Sequence, residues 1–153
     1  MEEKPITIWL TILITAGVGV FILIWYGLMT IIDAASVGLG GVGMMAALVP
    51  IILGVLTLLA AFMIYSRSGK VFLTILLVLA IIVNIFVIVM LAALDSLIAD
   101  FEELFEELGI TAGSLGIGVY IEYIVQLVLA FVVFVLLYHP QSRDYFSGRA
   151  FLT

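Results

Sequence analysis

The sequence predicts an all-α membrane protein: a four-transmembrane-helix bundle with both termini cytoplasmic. An extracellular acidic amphipathic helix is expected between spans 3 and 4. Three observations carry this reading. Of 153 residues, 66% are hydrophobic and 10% charged, against roughly half apolar and a quarter charged in soluble domains. Four nearly uncharged runs, 6–32, 44–65, 71–93 and 117–138, each reach the ~20 helical residues that cross a hydrocarbon core about 30 Å thick. All five basic residues lie on one side of the membrane so defined: Lys4 before the first run, Arg67 and Lys70 between the second and third, Arg143 and Arg149 after the fourth. Little chain remains outside the runs, so residues 1–153 read as a single transmembrane domain.

The charge partition sets the expected topology. Lys and Arg near span ends stay cytoplasmic, and acidic residues matter less. The two connections on the other side hold no Lys or Arg and seven of the 11 acidic residues. Aromatic rings favour both headgroup zones, and Trp9, Tyr65 and Tyr138 fall at one set of span ends, Trp25, Tyr26, Tyr120 and Tyr123 near the other. The expected location is the plasma membrane.

The first run is too long for a signal-peptide core and no small-x-small cleavage site follows it. It reads as a retained span, with Pro5 tolerated at the helix start. Thr7, Thr11, Thr15 and Gly19 recur every four residues on it, and small or weakly polar residues are what membrane helices pack through. The first outer connection, residues 33–43, contains Gly38-Leu-Gly40-Gly41-Val-Gly43, which matches the dinucleotide-binding glycine pattern only formally. That pattern needs a strand before it and a soluble crossover around it, so no nucleotide cofactor is inferred. On the second span Ala47, Pro50, Gly54, Thr57 and Ala61 alternate steps of three and four, a left-handed packing seam, and Pro50/Gly54 is the only interruption expected in any span.

Residues 66–70 form a tight inner loop, which makes spans 2 and 3 antiparallel neighbours. After the third span, apolar residues recur at Leu94, Leu97, Ile98, Phe101, Leu104, Phe105 and Leu108, opposite Asp95, Asp100, Glu102, Glu103, Glu106 and Glu107. This is helical periodicity. It predicts an amphipathic helix over 94–108 that lies on the outer surface or continues the third span. Leu97, Phe101, Phe105, Glu102 and Glu106 are its candidate interaction residues. An acidic face is unusual for a helix that only binds lipid, which points the apolar stripe toward protein.

Gly118, Glu122, Gln126 and Ala130 line the fourth span every four residues. Asn84 and Gln126 each lie nine residues from the outer end of their span, about 13 Å deep. A hydrogen bond between them is expected to contribute about 1 kcal/mol. Glu122 has no basic residue on its side of the membrane. It must be protonated, wetted, bonded to Tyr or Thr donors, bound to a cation or paired with another subunit, unless a boundary two residues deeper leaves it interfacial.

The chain has no cysteine and one histidine, which excludes disulfides, thiol catalysis and Cys-ligated metals. No metal or cofactor is expected, and the net charge of −6 argues against a nucleic-acid partner. In the tail, 139–153, Pro140 stops the last helix, while Arg143 and Arg149 face headgroups and Tyr145, Phe146 and Phe151 return to the interface.

The stretch Leu136-Leu-Tyr-His-Pro140-Gln-Ser-Arg143-Asp-Tyr145-Phe146 resembles the end of a group of small four-span membrane proteins found largely in archaea. Their last span closes with Leu-Leu-x-x-Pro, then a basic residue and Tyr-Phe. Lys4-Pro5 before an Ile/Thr-rich span and the short basic inner loop resemble that group too. Its inner loop is commonly rich in Lys and Trp, whereas residues 65–72 here contain no Trp. The resemblance implies a fold and an archaeal source, and no activity. The expected role is a non-enzymatic structural, accessory or assembly subunit, a homo-oligomer or part of a membrane or cell-surface complex, with membrane lipids around it. The alternative is a small cation channel or transporter that uses Glu122 and the acidic rim.

Overall fold

The computed structural model describes residues 4–36, 38–101 and 116–148. Every regular element among them is helical: α1 (Ile6–Phe21), a π-helical segment (Ile22–Leu28), α2 (Met29–Ser36), α3 (Gly40–Tyr65), α4 (Lys70–Asp100), α5 (Gly116–Tyr138) and α6 (Pro140–Ser147). Four helices are long and apolar enough to cross a membrane, which makes this a multi-pass membrane protein by length and composition. The chain divides into two compact units, Met1–Leu76 with Val133–Thr153, and Leu77–Val132.

In the first unit, Ile6–Ser36 runs helically through all three of its segments. At 31 residues it would be about 46 Å long. Its partner-facing residues recur every four, and in an α-helix such a row winds about 40° round the axis per step. The π segment takes more residues per turn than an α-helix, so it turns the row back. Leu23 and Gly27 thereby stay on α3 together with Thr7, Thr11, Thr15 and Gly19. All four residues of that stripe are buried.

The two helices approach closely at Gly19 and Gly54. A Cβ on Gly54 would lie 2.5 Å from Leu23 Cγ and 3.1 Å from the Gly19 carbonyl oxygen, and one on Gly19 would lie 3.2 Å from the Gly54 carbonyl oxygen. Ala47 and Ala61 of the second-span seam are buried with them. Pro50 does not interrupt α3, which is continuous over 26 residues. In a membrane helix the backbone group freed by proline is tolerated when neighbouring helices and Ser/Thr side chains surround it.

The connection before α3 is far shorter than the eleven residues the sequence suggests, because the helix persists to Ser36 and α3 starts at Gly40. Leu39 N donates to Ala34 O at 2.7 Å and Gly38 N to Ala35 O at 3.1 Å, the paired bonds of a Schellman turn. Gly38 holds φ +79°, the left-handed conformation this turn requires.

The second unit holds most of α4 and of α5. No break separates the third span from the first half of the expected amphipathic helix, since Lys70–Asp100 is one helix of 31 residues. Ala92, Ala93 and Leu94 are strong helix formers with no Gly or Pro among them, so the span continues. Residues 102–108 of that expected helix, with Glu102, Phe105 and Glu106, lie outside the described residues. Along α4 in this unit, Leu77, Asn84 and Ile98 are buried and Leu91 half-buried, a spacing of seven that marks a coiled-coil-like seam. On α5, Val119, Tyr123 and Gln126 are half-buried and Ala130 is buried, again at steps of four and three.

Candidate functional site

The most constrained chemistry sits in the first unit, where α3 ends. A helix leaves its last four carbonyls without intrahelical partners, and here each one has a donor. Phe62 O accepts from Ser66 N (3.1 Å) and Met63 O from Ser68 N (2.8 Å). Ile64 O accepts from Arg67 N (3.1 Å) and from the Tyr145 hydroxyl (3.2 Å). Tyr65 O accepts from the same hydroxyl at 2.9 Å and from Lys4 Nζ at 2.9 Å. The loop caps the first two carbonyls, and the chain termini help cap the last two. A cation here also meets the negative end of the helix dipole.

Tyr145 reaches this point because the tail is a helix. His139 has φ −58° and ψ 144° and its Nδ1 accepts from Gln141 N (3.4 Å), with Pro140 at the first helical position and Gly148 closing the far end at φ 68°. Proline suits that first position because its missing N–H would have no partner there anyway. Pro140 therefore ends α5 and also starts α6. Ser142 and Tyr145, three residues apart, share one face and are 0% and 1% exposed. Ser142 Oγ lies 3.0 Å from Thr7 Oγ1 and donates to Leu136 O at 2.6 Å. The sequence reading sent Tyr145 to the membrane interface. It is instead buried, because its hydroxyl finds two helix-terminal carbonyls that the headgroup zone would leave to water. Phe146 packs edge-on to it at 5.3 Å between centroids. Arg149 and Phe151 lie outside the described residues.

Three cations sit over rings at this end. Lys4 lies over Tyr65 and Trp9, Arg67 is 5.1 Å from the Tyr145 centroid, and Lys70 is 4.5 Å from Tyr138 and 5.8 Å from Phe146. Each such contact contributes about 0.5–1 kcal/mol at exposed sites. Burial raises the Tyr145 phenol above its ordinary 10.0, and the Arg67 charge opposes that. Arg67 also has φ 59°, alone among the described non-glycine residues at positive φ. It occupies the Schellman position that Gly38 fills in the other hairpin, although a side chain with Cβ pays strain there. Sequence reasoning missed Ser142, Tyr145 and Arg67 as a group. The His139-Pro140 helix start, followed by the Ser142/Tyr145 spacing, is the signal that could have found the docked tail.

The residues singled out from the sequence fall in the second unit. Tyr120 OH donates to Asp95 Oδ2 at 2.8 Å, which joins the start of α5 to the end of α4. Asn84 Nδ2 donates to Ala80 O of its own helix (2.8 Å), and its Oδ1 is buried with no hydrogen-bond partner. Glu122 and Gln126 are half-buried one turn apart on α5, and Leu97 on α4 and Phe101 just past its end are exposed, 47% and 55%.

A buried acceptor without a donor costs about 1–3 kcal/mol. Asn84→Leu is therefore expected to raise the thermal unfolding midpoint in detergent. A lowered midpoint would mean that a donor reaches Asn84 Oδ1 in the folded protein. No protein-family model, curated protein or solved structure matches this chain.

Proposed function

We propose that the chain is a non-enzymatic integral membrane protein of the cell membrane that acts as an assembly or accessory subunit. The five-to-none partition of basic residues supports cytoplasmic termini, and the tail motif supports placing the chain with the small four-span proteins it resembles. The observation that carries the assembly role is the far end of α4. At 31 residues this helix is about 46 Å long, some 16 Å more than the hydrocarbon thickness. Leu97 in its last turn and Phe101 just past its end are four residues apart and exposed, while Ile98 is buried.

Apolar side chains on one face of an extension beyond the lipid have no hydrocarbon to cover them, and such patches mark contact surfaces. Carboxylates around them, Asp100 among the described residues, supply a polar rim. The partner is a second copy or another membrane protein whose apolar anchors fit this pair.

The absence of native cysteine makes the test direct. Leu97→Cys and Phe101→Cys are expected to form oxidative cross-links in native membranes, and Ala99→Cys, exposed on the opposite face, much less. A product of twice the chain mass identifies a second copy, and another mass identifies a different subunit. Cross-linking that is equal at all three positions, or missing from all of them, sinks the proposal.

A further inference from the structure

We propose that α6 is a latch on the basic end of the first unit, and that phosphate-bearing anions, the headgroups of an anionic membrane, loosen it. An eight-residue helix is too short to hold itself in water, so α6 is helical only because it is docked. Its two fully buried side chains, Ser142 and Tyr145, dock largely through polar contacts, the hydroxyls on Thr7, Leu136, Ile64 and Tyr65. A short segment anchored at two side chains can open by itself while the rest of the unit stays folded.

The trigger lies in the cations. Two of the rings that carry them, Tyr145 under Arg67 and Phe146 beside Lys70, belong to the tail. Loop and latch are thus joined by contacts that a phosphate competes for directly. A guanidinium or ammonium bonds a phosphate oxygen more strongly than it bonds an aromatic ring. Anionic headgroups also concentrate at the depth where such span-flanking residues lie. Arg67 is the more sensitive of the two, because its φ of 59° is held against the ordinary preference of a non-glycine residue. Drawing its side chain toward a phosphate removes the ring contact that accompanies that conformation. The carboxylate of Asp144 sits within α6 beside Arg143, so the latch also carries a negative charge that a crowded anionic surface repels.

The test uses the full chain with a nitroxide at Ser147→Cys, an exposed position whose hydroxyl bonds only within α6. In phosphatidylcholine vesicles the label is expected to be immobilised, and in phosphatidylglycerol vesicles to tumble several-fold faster. Tyr145→Ala is expected to tumble fast in both. Arg67→Gln with Lys70→Gln is expected to show no difference between the two lipids. Inorganic phosphate added to the phosphatidylcholine sample separates the sources: loosening there assigns the effect to soluble anions, and no loosening assigns it to headgroups. The proposal is overturned by equal mobility in all three conditions, by a lipid response that survives the double substitution, or by a Tyr145→Ala label as immobile as the parent.

Discussion

Gly54→Leu is expected to cost about 3 kcal/mol of stability, the upper part of the range for overpacking, and to pull the first span away from α3. The reason is backbone against backbone. The first atom of any side chain at Gly54 meets the Gly19 carbonyl oxygen at 3.1 Å and Leu23 Cγ at 2.5 Å. Leu23 can rotate away and the carbonyl cannot. Gly17, two residues from Gly19, has nothing within 4 Å of where its Cβ would lie. Gly17→Ala is therefore expected to be neutral or to gain up to about 1 kcal/mol from helix propensity. Unfolding in a mixed-detergent series measures both. A Gly54→Leu protein as stable as Gly17→Ala would show that the two helices do not meet at this point.

Tyr145→Ala is expected to cost about 3–5 kcal/mol, as for other buried aromatic truncations, and to undock α6. Tyr145→Phe keeps the ring and loses the donor to Ile64 O and Tyr65 O, which is expected to cost about 1–2 kcal/mol. The Tyr145 phenol also makes the docked tail pH-dependent. Its folded pKa is raised above 10.0, so the folded state holds this proton more tightly than the unfolded one. The corresponding stability is full below 10.0 and is lost as pH rises through the folded value. Tyrosinate absorbance is expected to show a late-titrating phenol that Tyr145→Phe removes, with release of a Ser147 label over the same pH range. Titration at an ordinary tyrosine pKa in the wild type would contradict the buried placement.

Much of the packing was legible in the sequence because it is written locally. Thr7, Thr11, Thr15 and Gly19 stand four apart and are buried together, and Ala47, Gly54 and Ala61 are buried on α3. Small side chains at helical spacing identify such a face whatever it meets. Element ends were less legible. The helix through Asp33 to Ser36 and the continuation of α4 past Ala93 follow from helix-forming residues that persist beyond the apolar run, so span length and helix length differ. The π segment left no mark in composition. It appears only when a row spaced by four must stay on a straight neighbour.

The residues at the candidate site were the least legible. Tyr145 bonds carbonyls 80 and 81 positions away, and Ser142 a hydroxyl 135 positions away. No periodicity within the tail encodes which carbonyls are waiting. Asn84 teaches the same lesson from the other unit. Counting from span ends paired it with Gln126, whereas its Nδ2 donates to Ala80 O of its own helix and its Oδ1 has no hydrogen-bond partner.

By itself, then, the sequence determined the class of protein, its four apolar helices and the small-residue faces of the first two, since hydropathy and periodicity are properties of neighbouring residues. Only the tertiary structure decided how the last carbonyls of α3 are capped, why Arg67 takes a glycine's conformation and why Asn84 keeps a bare oxygen. Those depend on which distant groups arrive within hydrogen-bonding distance. That is a matter of three-dimensional register, to which hydrophobic patterning is blind.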